Sequence, residues 1–288
     1  MKICALTMVY RDYWALSQWY AHYSRHLNPE NLFVVAHGAD PKIHEICPRA
    51  SIITIPREKF TEFDLSRGRL LNGFQAGLDE VYDWVIRTDA DELICLDPNR
   101  YRDFADFFER HSSHVQFSLG LNLAELPGDA ELKPGMLALQ HRRRALFSAH
   151  YSKAWAVRQK VSLRRHGIEV RPRHLERYGF SVPRGVYLVH LKHANAQALA
   201  ESDKHRMQVA SEPGPGTPGQ SWLYPERRNR KFLTHVRDLP VTNWDEAEPQ
   251  AYAEISKEPE RDRYASVIRV RDVPLNLATD LPGWFRSA

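Results

Sequence analysis

Between Trp84 and Pro98 the sequence reads WVIRTDADELICLDP, an apolar stretch closing on three acids, Asp89, Asp91 and Glu92. Like charges this close repel, and burying them is costly unless something positive neutralises them. Residues two apart on an extended chain face one side, so Asp89 and Asp91 are expected to point together. Two carboxylates on one side are half of a site for a hard divalent cation. Mg2+ and Mn2+ take oxygen ligands and commonly bridge to substrate phosphates. The plain alternative is a solvated turn whose acids cap the next segment. A strand before the acids, a helix expected after them and a place at a sheet edge favour the metal.

The elements around these acids alternate. Strands are expected over Lys2–Val9, Asn31–His37, Ala50–Pro56 and Asp83–Thr88. A helix with apolar spacing follows the first, over Asp12–Leu27, and another runs on from Asp64 as its cap. Strands alternating with helices predict a parallel sheet covered on both faces. Ligands bind such sheets at the carboxyl ends of the strands. Thr7 to Asp12, His37 to Asp40, and Asp89 with Asp91 all fall there.

Beyond Pro98 a helix is expected in NRYRDFADFFERH and a strand in HVQFSLGL, with strand-like pieces near LALQHRRRALF, KAWAVR and GVYLVHL. A polar helix runs from about Asn195 to Ala210. The Pro- and Gly-rich stretch Ser211–Trp222 can be neither helix nor central strand, and reads as a lid or the start of a tail. The last residues are charged and irregular but keep Trp244, Tyr252, Tyr264, Trp284 and Phe285, so a packed extension is expected. The division is a domain over 1–210 and an extension over 211–288.

At 43% hydrophobic and 26% charged residues the composition is that of a soluble globular chain. No apolar run reaches the roughly 18–20 residues that span a bilayer. The apolar start is short and meets Arg11 and Asp12 at once, without a cleavage site, so it reads as a first strand and not a signal peptide. Three scattered cysteines fit a reducing cytosol better than a disulfide framework or zinc cluster. Thirty of the 40 basic residues are Arg, which favours contact with phosphate or carboxylate. No nucleic-acid module is recognisable, and nucleic acid is not an expected partner. The expected location is cytoplasmic, with at most peripheral contact at the inner face of a membrane through the basic run Glu226–Lys231.

The stretch DWVIRTDADE resembles the Asp-x-Asp segment of GT-A-fold glycosyltransferases, the family 2-like members above all. The preceding SRGRLLNGFQAGLDEVY is similar to that family's basic residue, Asn-Gly and small residue ahead of the strand, and ALTMVYRDYWALSQWYAHY resembles its first strand and helix. The likeness covers about residues 1–200. It departs after the first strand, where many members carry Asn-Glu and this chain has Tyr10, Arg11 and Asp12.

The resemblance implies a Rossmann-like mixed α/β sheet flanked by helices. It implies a UDP- or GDP-linked sugar donor and a glycan acceptor. Asp89 would lie by the donor ribose or the metal, and Asp91 would bind Mn2+ or Mg2+. The cation would bridge the two phosphates and stabilise the leaving diphosphate. Thr7, Tyr10, Arg11, Arg67, Asn72 and Asp89 are the expected donor-binding residues, with Arg67 preferred to Arg69 for the diphosphate. A late histidine completes the metal set in this family; His190, ending a strand, is preferred to His193. Imidazole beside carboxylates tilts selectivity toward Mn2+.

Glu92 reads as helix-proximal charge or as a supporting partner, and Lys153 as a surface lysine. Glu125 and Asp129, in the loop after the fifth strand, are the candidate bases for the acceptor hydroxyl. The rival readings are a nucleotidyltransferase, which would usually show a Gly-rich loop after the first strand, and a non-catalytic sugar- or protein-binding module.

Overall fold

The computed structural model describes residues 1–58, 60, 62–211 and 220–288. The chain opens with β1 (Ile3–Val9), α1 (Tyr13–His26), β2 (Leu32–His37), α2 (Pro41–Ile46), β3 (Ser51–Ile55), α3 (Phe63–Leu78) and β4 (Trp84–Arg87). These four strands pair in parallel in the order β3-β2-β1-β4. All seven residues of β1 are buried, because helices cover both of its faces. Ile3, Ala5 and Val9 share one cluster with Leu16 and Trp19 of α1. Cys4, Leu6 and Met8 share another with Leu71 of α3. The period of two on the strand thus divides the core between the two helices.

Asp64 does not cap α3. Glu62 holds the cap position in the left-handed region, at φ 50°, and Asp64 lies in the first turn. There its carboxylate faces the positive end of the helix dipole.

A strand, not a helix, follows the acids. The chain continues through β5 (Glu92–Leu96), α4 (Phe104–Arg110), β6 (Val115–Phe117), β7 (Leu119–Ala124), α5 (Ala138–His141), β8 (Arg144–Ser148) and β9 (Ala154–Val157). Leu93, Ile94 and Cys95 are buried, and that apolar run needs a sheet rather than a one-sided helix. β9 and β6 extend the first sheet with antiparallel pairing next to β4. Then come β10 (Leu163–Arg164), β11 (Gly167–Glu169), β12 (Val186–His193), α6 (Ala196–Ser211), α7 (Gln220–Leu223), α8 (Pro225–Asp238), α9 (Trp244–Ile255), β13 (Glu260–Asp262), β14 (Val267–Arg269) and β15 (Ala278–Asp280).

The second sheet has the order β15-β8-β7-β12-β5, and a third pairs β10-β11-β14-β13. This is the mixed α/β arrangement of parallel and antiparallel strands flanked by helices that the resemblance implies; the parallel pairing expected from the alternation holds for β1 to β4. The piece LALQHRRRALF, expected to be strand-like, starts instead with the short α5, and its strand begins only at Arg144.

The residues after 220 are tied into these sheets. β15 pairs with β8, and β14 with β11. Ala247, Ala251, Tyr252 and Ile255 of α9 enter the main core. Of the Pro- and Gly-rich stretch expected over 211–222, residues 212–219 lie outside the described residues. Among the described residues, no helix is long and apolar enough to cross a membrane.

One glycine shapes the approach to the acids. A Cβ on Gly120 of β7 would lie 2.6 Å from Ser148 O and still nearer the Tyr151 carbonyl carbon. Its absence lets the loop 148–152 press onto β7, and the Gly120 N–H donates to Ser152 Oγ at 2.8 Å. That seating fixes Tyr151 and Lys153, the residues on either side of Ser152.

Candidate active site

Asp89, Ala90 and Asp91 form the corner where the chain leaves the first sheet at β4 and enters the second at β5. The Glu92 N–H donates to Asp89 O at 3.1 Å, and the Leu191 N–H donates to Asp91 O at 2.8 Å. The second bond pins the corner to β12 and brings Asp91 beside His190. One carboxylate oxygen each from Asp89, Asp91 and Glu92 lie within 4.8 Å of one another, so the three could hold a divalent cation.

Two of the acids already have cations from the protein. Arg67 of α3 reaches Asp89 Oδ1 at 2.5 Å. Lys153 lies 2.6 Å from Glu92 Oε1 and 3.7 Å from Asp89 Oδ2. Glu92 also accepts the Asp89 N–H at 3.1 Å. Burial works to raise the Asp89 pKa, but Arg67 and Lys153 outweigh it and hold that carboxyl well below its usual range. Glu92 is almost wholly buried, and there burial wins over Lys153, pushing it up to about 7. Lys153 is therefore not the surface lysine expected. Burial disfavours its charge, yet Glu92 and Asp89 more than compensate and keep it protonated.

Asp91 is left with a different partner. Its Oδ2 lies 3.2 Å from His190 Nε2, and Arg206 of α6 is 3.9 Å away. His190 Nδ1 sits 2.8 Å from Asn122 Oδ1 on β7. An amide oxygen only accepts, so Nδ1 carries the proton. Tyr151 stacks on the ring at 3.8 Å. Burial pushes the His190 pKa down, with Asp91 opposing. Asp91 in turn is held at about 2, where His190 and Arg206 outweigh its burial. Burial favours the neutral ring and Asp91 the charged one. With Nδ1 donating to Asn122, Nε2 is the nitrogen that faces the carboxylate, and a cation could take both as ligands.

The spacing suits one. Cis ligands about 2.1 Å from an octahedral ion stand roughly 3 Å apart. The side-chain oxygen of Asn122 sets the tautomer, as an outer hydrogen bond does at metal-bound imidazoles.

The three acids, Arg67, Tyr151 and His190 line one cleft of about 460 Å3, within the roughly 300–1,000 Å3 of ligand sites. Its other end is built from the carboxyl ends of β1 and β2 and the residues after β3. Arg57 lies over the Tyr10 ring at 3.9 Å. His37 receives Arg57 at 3.0 Å through Nδ1 and stacks on Phe60 at 4.7 Å. His205 of α6 meets Tyr10 edge-on at 5.9 Å. The first two strand ends expected to carry ligand-facing residues thus do line the cleft, through Tyr10 and His37. Arg11 is exposed and takes a left-handed φ of 52°, with its guanidinium 5.3 Å from the Tyr10 ring centre.

Other expected site residues stand elsewhere. Thr7 lies inside β1, fully buried, because the strand runs on to Val9. Asn72 accepts from Arg87 at 2.6 Å and from the Leu163 N–H at 3.1 Å, and donates to Leu163 O at 3.1 Å. Its amide fastens α3 to β10 and does not line the cleft. Glu125 forms an ion pair with buried Arg142 at 2.8 Å and accepts the Ala196 N–H at the start of α6 at 3.0 Å. Asp129 accepts the Leu126 N–H at 2.8 Å within its own loop. Neither lines the cleft, so the bases expected after β7 are structural carboxylates. His193 does not line the cleft: it stacks on Phe232 of α8 at 4.0 Å and meets Asn229 at 3.3 Å.

Several cleft residues were not singled out in the sequence. Asp12 has its carboxyl pushed up to about 6, by burial first and by Asp91 second. Its place directly after β1 at the ligand edge was the available signal. His150 meets Asp272 at 3.0 Å through Nδ1, a pairing across 122 residues that no local spacing reveals. The carboxylate accepts from Nδ1 and leaves Nε2 as the nitrogen turned away from it. His166, at the tip of the β10–β11 hairpin, sits at φ 66° after Arg165 at φ 49°. These are the two left-handed positions of a two-residue hairpin turn, where Asn-Gly is ordinarily found. Burial, then Lys153 and His150, push His166 down to about 3.

No family model matches the chain, and no curated protein matches it. Among solved structures, mannose-1-phosphate geranyltransferase from Thermus thermophilus aligns with 98% of this chain and 74% of its own, at 13% identity and a TM-score of 0.30. CMP:2-keto-3-deoxy-manno-octonic acid synthetase complexed with CTP aligns with 81% of this chain and 99% of its own, at 12% identity and a TM-score of 0.26. Likeness at this level carries no argument about what this chain binds or does.

Proposed function

We propose that the chain is a divalent-metal-dependent glycosyltransferase that takes a sugar from a nucleotide-sugar donor to a hydroxyl acceptor. The observation that carries this reading is the Asp91–His190 pair, 3.2 Å apart, with the ring tautomer fixed by Asn122. It stands in a cleft whose far end offers the Tyr10 ring and Arg57.

In this reading Asp91 and His190 hold the cation, with the open oxygen of Asp89 beside them. Mn2+ is favoured over Mg2+ by the imidazole. The bound ion would act as a Lewis acid on the donor diphosphate. Arg67 and Lys153 keep Asp89 ionised and the corner rigid, and Tyr151 holds the His190 ring in plane. A base or ribose would stack at Tyr10 and His37, with the phosphates toward the acids. His150, oriented by Asp272, is the group that would take the acceptor proton on Nε2. A nucleotidyltransferase shares the sheet and the metal use. The segment after β1 argues against it, since Tyr10, Arg11 and Asp12 replace the Gly-rich loop such enzymes need to wrap a triphosphate.

The test is calorimetric titration of UDP, GDP and CDP with Mn2+ and again with EDTA, on the wild type and on Asp91→Asn. Binding of one nucleotide that needs Mn2+ and is lost in Asp91→Asn, with an unchanged circular dichroism spectrum, is the expected result. Equal binding with and without metal, or unchanged affinity in the variant, overturns the metal assignment.

A further inference from the structure

On the wall formed by β12, α6 and α8, the cleft carries three cations that the metal reading does not use. Lys192 lies on β12, two residues beyond His190, and is half-buried in the cleft wall. Arg206 reaches in from α6 and Arg228 from α8. Ser202, one turn before Arg206, lines the same wall and gives its hydroxyl to Asp12.

The carboxylates nearby, Asp12, Asp91 and Asp203, engage Arg206 and leave Lys192 and Arg228 without an ion pair among the described residues. Asp203 takes Asn229 Nδ2 at 2.5 Å and Arg206 at 3.4 Å. Asp91 faces His190 and meets Arg206 only at 3.9 Å. Among the described residues, Lys192 and Arg228 have no hydrogen bond or ion pair to any side chain. Like charges gathered in a concave wall repel one another, and a fold tolerates them where an anion completes the set. Guanidinium and ammonium together fit a phosphoryl or carboxylate group, the fork reading its shape and the ammonium its charge.

We propose that Lys192, Arg206 and Arg228 form an anion subsite that binds a phosphoryl or carboxylate group without a metal ion. Two sources share that chemistry: the diphosphate of the donor, or an acidic group on the acceptor. The subsite adjoins Asp91, so either would lie next to the reacting centre. The second source would define the acceptor as an acid-bearing molecule. This subsite stands on its own cations and does not require the metal reading to hold.

The experiment is titration of inorganic phosphate into the protein in EDTA, with no nucleotide present. Saturable binding is expected in the wild type. It should weaken at least tenfold in Lys192→Ala/Arg228→Ala and persist in Asp91→Asn. Arg230→Ala/Lys231→Ala, which removes the same charge from exposed positions on α8 outside the cleft, is the control and should leave it unchanged. Melting temperatures within a few degrees of the wild type verify the fold of each variant. Absence of phosphate binding, equal binding in the Lys192/Arg228 variant, or equal losses in both double variants would overturn the subsite. A second titration, at saturating Mn2+ and the nucleotide that binds best, separates the sources. Displacement of phosphate assigns the subsite to the donor diphosphate, and simultaneous binding assigns it to an acidic acceptor. Failure of nucleotide binding would sink the donor reading and leave the metal-free result standing.

Discussion

Replacing Lys153 by Met removes the cation that Glu92 depends on, and the loss of stability is expected to grow with pH. The ammonium and the carboxylate are 2.6 Å apart, and Glu92 is 1% exposed. Unit charges about 3 Å apart at an effective dielectric near 20 attract by roughly 5 kcal/mol before desolvation is subtracted. Removing one partner of such a pair typically costs about 3–5 kcal/mol, because the other charge stays buried alone. The cost has an upper limit at low pH, since Glu92 can take up a proton instead.

In the wild type its pKa is already raised to about 7, burial outweighing Lys153. A carboxyl that is less acidic folded than unfolded holds its extra proton in the folded state. It therefore destabilises progressively as pH climbs from the ordinary carboxylate value through about 7. Without Lys153 the folded carboxyl is raised further, so the fall continues to higher pH at the same limiting slope. Urea denaturation should show a deficit of about 1 kcal/mol at pH 5, the loss of a hydrogen bond to a neutral acid. At pH 8.5 it should show about 3 kcal/mol, the ceiling set by protonating Glu92 instead at about 1.4 kcal/mol per pH unit above its raised value. Lys153→Met/Glu92→Gln should recover most of the loss at pH 8.5, because the amide can still accept the Asp89 N–H. A deficit equal at both pH values, or no recovery in the double variant, would refute the buried ion pair as the support of this corner.

Asn122→Ala frees the His190 tautomer and should weaken Mn2+ binding about 10–100-fold, read by competition with a fluorescent chelator, with little change in melting temperature. Glu125→Gln and His150→Gln should separate structure from chemistry. The first breaks the Glu125–Arg142 ion pair and should lower stability by about 1–3 kcal/mol while sparing turnover of whichever nucleotide-sugar binds. The second should lower kcat for transfer or donor hydrolysis about 100-fold or more, with nucleotide affinity and stability unchanged. The reverse pattern would return the base to the loop after β7.

The alternation of strand and helix through residue 87 was legible because its causes are local. Period-two apolar runs, helical spacing and turn residues act within one element, and β1 to β4 follow from them. The acids were legible for the same reason, since Asp-x-Asp spacing places two carboxylates together whatever follows. His190 is marked only by the resemblance, which implies a late histidine at a strand end; β12 in fact runs on to His193, and it is the approach of Asp91 that brings His190 into the site.

What neutralises the acids was not legible. Lys153 lies in a segment that looks like surface, and only the loop seated on Gly120 carries it into the core beside Glu92. Asn72 sits on a plausible helix face, yet the hairpin starting at β10 captures both ends of its amide. Glu125 lies after a strand where an acceptor could dock, but Arg142 and the start of α6 reach it first. The His150–Asp272 and Asp91–His190 pairs join residues 122 and 99 positions apart. The sequence thus determined which elements form and where charge gathers, because those follow from neighbours along the chain. Which charge meets which was decided by the pairing of strands from distant parts of the chain, and that is where the chemistry of the site lies.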